Sequence, residues 1–297
     1  MDCQLKRADF DFCNLDCSID IVLSQSIPLL FVQKGGDDGM NFFFTGTGNS
    51  LYIAKQLDDD HRSIPQVLRQ SDLAFSAERI GIVCPIYGHE MPQMVKEFLQ
   101  KATFDTEYLY LILTYGKRHG GAAELAKKYL DSIGKKAAYI NTVLMVDNFL
   151  PAFDMAQEMA LDKKVHDQLA LIKADIENGK RSVQKASFVD RATHKGYLSM
   201  VKNAPETVWA DYIITDDCIG CGICTKVCPA GCIHLSGQRA VHTGEHCQAC
   251  YACIHVCPQK AIHFGDIPMR EPNPDVRYRN PNITLTELVQ ANNQTDN

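Results

Sequence analysis

Two copies of one cysteine pattern dominate the C-terminal part of the chain. Each copy reads C-x₂-C-x₂-C-x₃-C-P, at residues 218–229 and 247–258. Two-residue gaps on a tight loop let three thiolates converge on one point. The proline that follows lacks an N–H and turns the fourth cysteine away from its own loop. The copies use eight of the thirteen cysteines, and a duplicated pattern is far more specific than a single match.

The pattern resembles that of bacterial ferredoxins, in which the fourth cysteine of each copy binds the other cluster. The resemblance implies two [4Fe–4S] clusters with crossed ligands. One cluster would be held by Cys218, Cys221, Cys224 and Cys257, and the other by Cys247, Cys250, Cys253 and Cys228. Cys232 corresponds to Ala261 in the second copy, so we expect a small buried residue there and not a ligand.

Disulfides and zinc are the two competing explanations of the cysteines. A disulfide framework needs an oxidising compartment, and the sequence shows no secretory signal. A zinc site takes four ligands in C-x₂-C pairs, which leaves the third and fourth cysteines and the proline of each copy unexplained. The pattern therefore favours iron–sulfur clusters.

Length and charge narrow the class of protein further. A chain of 297 residues can form two domains, each with its own core. Its net charge of −6 argues against a nucleic-acid partner and against an anionic membrane surface. No apolar run reaches the length of a membrane span, and we expect a cytoplasmic protein.

Residues 1–39 fit no domain pattern and are interpreted as an N-terminal extension. Lys34-Gly35-Gly36 can be encoded by a purine-rich run like a bacterial ribosome-binding sequence, and Met40 follows a few codons later. Met40 also begins the first regular strand. We therefore expect that an upstream start produced this extension and that the native protein begins at Met40.

A strand, a turn and a helix follow from Met40. Residues 41–44 form a short apolar run suited to a central parallel strand, and the apolar residues after 50 have helical spacing. The turn between them is Thr45, Gly46, Thr47, Gly48, Asn49 and Ser50. Its backbone N–H groups, its hydroxyls and the helix N-terminus predict an anion cradle. It is neither a P-loop nor a G-x-G-x-x-G dinucleotide loop.

This turn resembles the phosphate loop of flavodoxins. With the cysteine repeats downstream, the chain resembles the flavodoxin–ferredoxin fusion proteins of anaerobes over residues 40–267. The resemblance implies an α/β fold: a flavodoxin-like doubly wound parallel sheet in the order 2-1-3-4-5, followed by a small α+β bacterial-type 2[4Fe–4S] ferredoxin domain. It also implies FMN, bound by its phosphate at residues 45–50.

The resemblance extends to the flavin ring. In this sheet order FMN lies at the switch between the first and third strands. The turn after the third strand would then contact the ring through Pro85, Ile86, Tyr87 and Gly88. We expect Tyr87 to stack on the ring and Gly88 to let its peptide turn. By position, Thr114, Tyr115 and Gly116 would cover the other side. We expect Cys84 in the core and His89 in solvent.

The remaining segments complete the predicted organisation. Strands are predicted at 63–68, 79–84, 107–113 and 137–143, and helices at 92–101, 122–132 and 154–178. The predicted domains are 40–180 for the flavodoxin-like part, 181–210 for a linker or cap, and 211–268 for the ferredoxin part. Within the last, the segment 259–264 should pair with the chain near Tyr212. Residues 269–297 are predicted to be a disordered tail with a short helix at 285–291.

These predictions describe an electron-transfer protein that passes electrons between FMN and two [4Fe–4S] clusters, and on to a redox partner protein. Because the sequence shows no general acid–base pair, zinc site or nucleophile–base arrangement that would name a substrate, a carrier is favoured over a dedicated enzyme. One alternative is a flavin-dependent reductase of a quinone, a nitro compound or a disulfide. Another is a ferredoxin with a vestigial flavodoxin domain.

Overall fold

A computed structural model describes residues 33–34, 39–204, 209–267, 269 and 271–295. The strands are β1 Gln33–Lys34, β2 Met40–Phe43, β3 His61–Ser63, β4 Ala74–Ser76, β5 Arg79–Pro85, β6 Thr103–Asp105, β7 Tyr108–Tyr115, β8 Tyr139–Leu144, β9 Ser182–Val183, β10 Tyr212–Ile214, β11 Ile233–Ser236, β12 Arg239–His242 and β13 Ile262–Phe264. The helices are α1 Asn49–Leu57, α2 Ile64–Val67, α3 Gln93–Lys101, α4 Ala122–Ser132, α5 Met155–Ala160, α6 Val165–Glu177, α7 Phe188–Val201, α8 Ile223–Lys226, α9 Ala252–Val256 and α10 Leu285–Asn292.

A six-stranded parallel sheet organises the N-terminal part, in the order β3-β2-β5-β7-β8-β9. Its central strands are apolar throughout because both faces are covered. Ile82 on β5 pairs with Phe42 on β2 and with Leu111 on β7, and all three side chains are fully buried. Separate apolar clusters pack around the sheet, one including α3 and α4 residues and another including α1 and α6 residues. The fold is therefore mixed α/β with parallel strands.

Two predicted elements differ from the observed ones. The second strand covers His61–Ser63, and Pro65 opens the short helix α2 where a longer strand is predicted. The predicted helix over 154–178 is divided into α5 and α6, because Leu161 is extended and Lys164 is left-handed with φ of 52°. Leu169 and Ile172 are buried as the helical spacing predicts.

The segment predicted as a linker or cap at 181–210 contains the 14-residue helix α7. Ser187 and Asp190 form a capping box that fixes its start: the Ser187 hydroxyl accepts from Asp190 N at 3.1 Å, and Asp190 accepts from Ser187 N at 3.0 Å. Much of the helix is exposed, including Phe188 and Met200. Its weak amphipathicity concealed it in the sequence.

The C-terminal part has ferredoxin-type architecture. β10 and β13 are antiparallel, with Tyr212 opposite Phe264, which confirms the predicted pairing of that segment with Tyr212. β11 and β12 form a hairpin, and the short helices α8 and α9 pack together. Within the described residues, no helix is long and apolar enough to cross a membrane.

The tail differs most from its prediction. Residues 271–295 are ordered against both parts of the chain, and the predicted short helix is α10. Tyr278, Ile283 and Leu288 are buried, and Asn292 is fully buried. Isolated apolar side chains in a polar segment give little periodic signal, so composition alone suggested disorder.

The N-terminal extension lies largely outside the described residues. The exceptions are Gly39, which directly precedes β2, and Gln33–Lys34, which forms β1 beside β4 in a small parallel sheet completed by β6. The Gln33 amide donates to Gln70 Oε1 at 2.9 Å, and Arg62 donates to Gln33 Oε1 at 3.1 Å. These contacts attach a part of the predicted extension to the sheet domain.

Candidate cofactor sites

The first cysteine quartet surrounds a small cavity beside β12. Its thiols come from both copies of the pattern: Cys218, Cys221, Cys224 and Cys257. Gly220 and Gly222 are left-handed in the loop between them, with φ of 65° and 73°. A Cβ on Gly220 would lie 2.5 Å from the Gln238 carbonyl oxygen, so the loop passes close to the β11–β12 hairpin.

The second quartet surrounds another small cavity. It also combines both copies: Cys228, Cys247, Cys250 and Cys253. The described cysteines are all free thiols. Each quartet thus has three thiols from one copy and the fourth from the other, as the packing of α8 against α9 requires.

Backbone N–H groups donate to the fourth cysteine of each copy. Cys232 N lies 3.2 Å from Cys228 Sγ, and Ala261 N lies 3.3 Å from Cys257 Sγ. Such bonds stabilise a thiolate and tune a cluster.

The Cys232 side chain adds a contact that the sequence did not predict. Cys232 is buried, as expected, and its thiol lies with His242 and Cys247 in a group whose ligand atoms are within 4.8 Å of one another. Hydrogen bonds from Cys232 and His242 lower the pKa of the Cys247 thiol. The first quartet has Ala261 at the corresponding position.

The predicted phosphate loop connects β2 to α1. Gly48 is left-handed with φ of 98°, and its N–H donates to Thr45 Oγ1 at 3.0 Å. The Ser50 and Thr114 hydroxyls are bonded at 2.9 Å, which joins the loop to the end of β7. Residues 49–52 of the first helical turn are uncharged, so the helix N-terminus keeps its affinity for an anion.

A cavity of about 400 Å³ opens beside this loop. It is lined by every predicted flavin-contact residue except Gly48: Thr45, Gly46, Thr47, Asn49, Ser50, Pro85, Ile86, Tyr87, Gly88, Thr114, Tyr115 and Gly116. The three segments meet because β2, β5 and β7 are parallel neighbours, so their carboxyl ends share one edge of the sheet.

The turn at 87–90 has an uncommon backbone. Tyr87 N donates to Glu90 O at 2.8 Å, and Glu90 N donates to Tyr87 O at 3.1 Å. Gly88 and His89 between them are both left-handed, with φ of 57° and 75°, which is the geometry of a type I′ turn. The Tyr87 hydroxyl is buried without a hydrogen-bond partner among the described residues.

Sequence reasoning missed several cavity residues. They lie mostly in three regions, the 117–118 loop, the 146–153 segment and α7 with the chain after it: Lys117, Arg118, Val146, Asp147, Asn148, Phe149, Phe153, Thr193, Tyr197 and Trp209. Residues 145–151 show no motif that points to a cofactor, and α7 lies in the segment predicted as a linker or cap.

Asp147 is the main buried acid of this lining. The Cβ of Asp147 packs against Gly116. A Cβ added to Gly116 would lie only 2.2 Å from the Cβ of Asp147. Burial raises the pKa of the Asp147 carboxyl to about 6. The charge of Glu158 also raises this pKa, whereas the charge of Lys163 lowers it. Lys163 also forms a buried ion pair with Glu158 at 2.8 Å.

The cavity adjoins the loop that carries Cys250 of the second quartet. Ala249 and Tyr251, on either side of Cys250, belong to its lining. A Cβ on Gly46 would lie 2.5 Å from the Cys250 carbonyl oxygen. The loop that carries Cys250 therefore packs against the phosphate loop.

The tail reinforces this contact. The Asn292 amide donates to Thr45 O at 3.0 Å and to Val227 O at 3.3 Å, one in each part of the chain. His255 on α9 accepts from Tyr278 N at 3.0 Å, and its Nε2 lies 3.0 Å from Asn148 O. The tail therefore bonds to both parts of the chain, and the bond between His255 and Asn148 joins the ferredoxin-type part directly to the lining of the cavity.

Comparison with known families agrees with this architecture. Residues 200–262 match the family model of the 4Fe-4S dicluster domain. No curated protein matches the chain. The protein thus combines a parallel-sheet N-terminal domain with a C-terminal domain of the kind that carries iron–sulfur clusters for electron transfer.

Proposed function

We propose that this protein passes electrons between an FMN-type flavin in the cavity and two [4Fe–4S] clusters, and on to a redox partner protein. The sheet order β3-β2-β5-β7-β8 supports the flavodoxin-like interpretation, since it corresponds to 2-1-3-4-5 with β9 added at the edge. The cavity lies at the carboxyl ends of these strands, where such folds bind ligands.

The residues of the cavity fit a flavin phosphate and ring. The hydroxyl-rich loop at 45–50 and the N-terminus of α1 would hold the phosphate. Tyr87, with its unpartnered hydroxyl, and the backbone of Gly88 would contact the ring from one segment. Residues 114–116 would contact it from another.

The cysteine quartets fit two [4Fe–4S] clusters. Each offers four free thiols around one cavity, and N–H groups point at sulfur in both. Crossed ligation places the clusters side by side, so an electron that reaches one can pass to the other.

The contact between Cys250 and Gly46 is the observation that carries the proposal. It brings a ligand of the second cluster to the wall of the flavin cavity. A flavin exchanges electrons in pairs or singly, whereas each cluster passes one electron. Their contact would let the chain convert between two-electron and one-electron transfer.

Anaerobic rapid mixing tests this function. The clusters and FMN are reconstituted, the protein is mixed with limiting dithionite, and cluster and flavin absorbance are followed separately. The proposal expects the flavin and the clusters to equilibrate at a rate independent of protein concentration. A rate proportional to concentration would mean transfer between molecules and would overturn the direct contact.

The wider lining of the cavity favours one second candidate, a flavin-dependent reductase. Tyr197 and Trp209 extend the aromatic wall beyond the predicted flavin contacts and could bind a small acceptor. Sustained turnover of a quinone, a nitroaromatic compound or a disulfide would select this candidate. If the protein stays flavin-free after FMN is added, the flavodoxin-like domain is vestigial.

A further inference from the structure

Three histidines and one aspartate lie together at the edge of the flavin cavity. They come from the 87–90 turn, the 116–121 loop and α7. His89 lines the cavity, and its Nδ1 lies 3.4 Å from His194 Nδ1. His119 Nε2 lies 3.3 Å from Asp190 Oδ2. His89 had been expected in solvent, so this cluster is a finding of the structure.

The backbone of His89 shows that its position is specifically maintained. Its φ of 75° is unfavourable for a residue with a side chain, and such strain persists where the surroundings impose it. The His89 ring packs against Gly120, so closely that a Cβ added to Gly120 would lie only 2.2 Å from His89 Cγ. The Tyr197 ring packs edge-on at 5.5 Å.

The groups around His89 lower its pKa from the ordinary value of a histidine. Partial burial lowers the pKa of His89, and His194 and His119 lower it further. The Asp190 carboxylate raises it. The titratable groups facing it are His194, Asp190 and Tyr197 from α7 and His119 from the loop. On its own turn, Glu90 is paired with Lys96 at 2.5 Å. Two ring nitrogens 3.4 Å apart can share one proton, but two protons would repel.

A flavin joined to clusters also needs a route for protons. The clusters carry electrons only, whereas full reduction of a flavin consumes two electrons and two protons. We propose that His89, coupled to His194, transfers protons between the flavin and solvent, while electrons pass through the Cys250 loop. This inference rests on the proposed flavin function.

Each reduced cluster would give one electron to the flavin, and dithionite would reduce the two oxidised clusters again. His89 in its imidazolium form would give one proton to the flavin. His194 would return a proton to His89 from a protonated buffer molecule in solvent, which is left as its conjugate base. The second proton would follow by the same exchange.

The test uses His89→Gly in the full chain loaded with clusters and FMN. Glycine accepts the left-handed backbone, so the turn should persist. Flavin reduction by dithionite is followed by stopped flow across neutral pH. We expect it to slow about 100-fold, the lower range for losing a general acid. Imidazole in the buffer should restore most of the rate, because the removed ring leaves space beside Gly120.

Two controls separate this role from a structural one. His89→Asn also accepts the left-handed backbone but cannot relay the proton, so it should be slow. His166→Gln, on the exposed side of α6, should match the unaltered protein. In flavin-free protein, NMR titration should show a lowered pKa for His89, and His194→Gln should raise that pKa because it removes one of the groups that lower it.

Specific outcomes would overturn the proposal. If His89→Gly reduces its flavin as fast as the unaltered protein, or is slow without rescue by imidazole, His89 does not transfer the proton. If either result is found while the unaltered protein binds FMN and its flavin accepts electrons from the clusters, only this inference fails. If FMN does not bind at all, the proposed function fails, and this inference fails with it.

Discussion

Gly46→Ala should separate the flavin site from the cluster domain. The new methyl would lie 2.5 Å from the Cys250 carbonyl oxygen, 3.2 Å from Cys250 Cβ and 3.3 Å from the Tyr87 hydroxyl. Restoring ordinary contact with the carbonyl requires a displacement of about 1 Å. Overpacking of this kind costs about 1–3 kcal/mol. Transfer between flavin and clusters should slow because the two loops move apart.

Thermal unfolding and stopped flow measure the two effects. Under anaerobic conditions, a loss of about 2 kcal/mol should lower the midpoint by roughly 4–8 °C for a chain of this size. Gly196→Ala is the matched control, since its Cβ would meet nothing within 4 Å and helix propensity should give about 0.5–1 kcal/mol of stabilisation. An unchanged midpoint and transfer rate in Gly46→Ala would refute the reasoning.

Three further predictions concern the cavity, the tail and the clusters. Asp147→Asn should stabilise the flavin-free protein by about 2 kcal/mol at pH 8 and by less at pH 5 in denaturant unfolding. The sign follows because the folded pKa, about 6, exceeds the ordinary aspartate pKa of 3.8, so ionisation of Asp147 destabilises the fold progressively as the pH rises from about 3.8 through about 6. A pH-independent effect would contradict this. Asn292→Ala should cost about 2–3 kcal/mol and weaken FMN binding, measured by fluorescence quenching, because the Thr45 carbonyl loses its donor. Unchanged FMN affinity would show that the tail does not support the loop. Cys228→Ala should selectively lose the cluster beside the cavity and Cys257→Ala the other, with iron falling by about half in each. If only Cys257→Ala stops transfer to the flavin, the crossed assignment is wrong.

The strongest local signals in the sequence predicted the fold well. The apolar run at 41–44 and the turn after it required a buried parallel strand that leads into a helix, and β2 and α1 have that arrangement. The cysteine spacing predicted an iron–sulfur domain, and the dicluster family match agrees. Both signals lie in a few adjacent residues, so local backbone geometry determines the structure that those residues form.

The parts that the sequence could not predict depend on distant contacts. His89 lies at its position because Gly120 and α7 lie beside it, and neither neighbour is near it in sequence. The tail is ordered because Asn292 reaches two carbonyl groups in separate parts of the chain. Polar segments such as these have weak periodicity, so the sequence gives little indication of their structure. Tertiary hydrogen bonds determine that structure.

The cofactor content of the protein tests the central claim most directly. Iron, sulfide and flavin are measured after anaerobic purification and incubation with FMN, with visible spectra before and after dithionite. The account predicts about eight irons and about one FMN per chain, with both chromophores reduced. About eight irons without flavin would contradict it and would leave a dicluster ferredoxin joined to a parallel-sheet domain of another role.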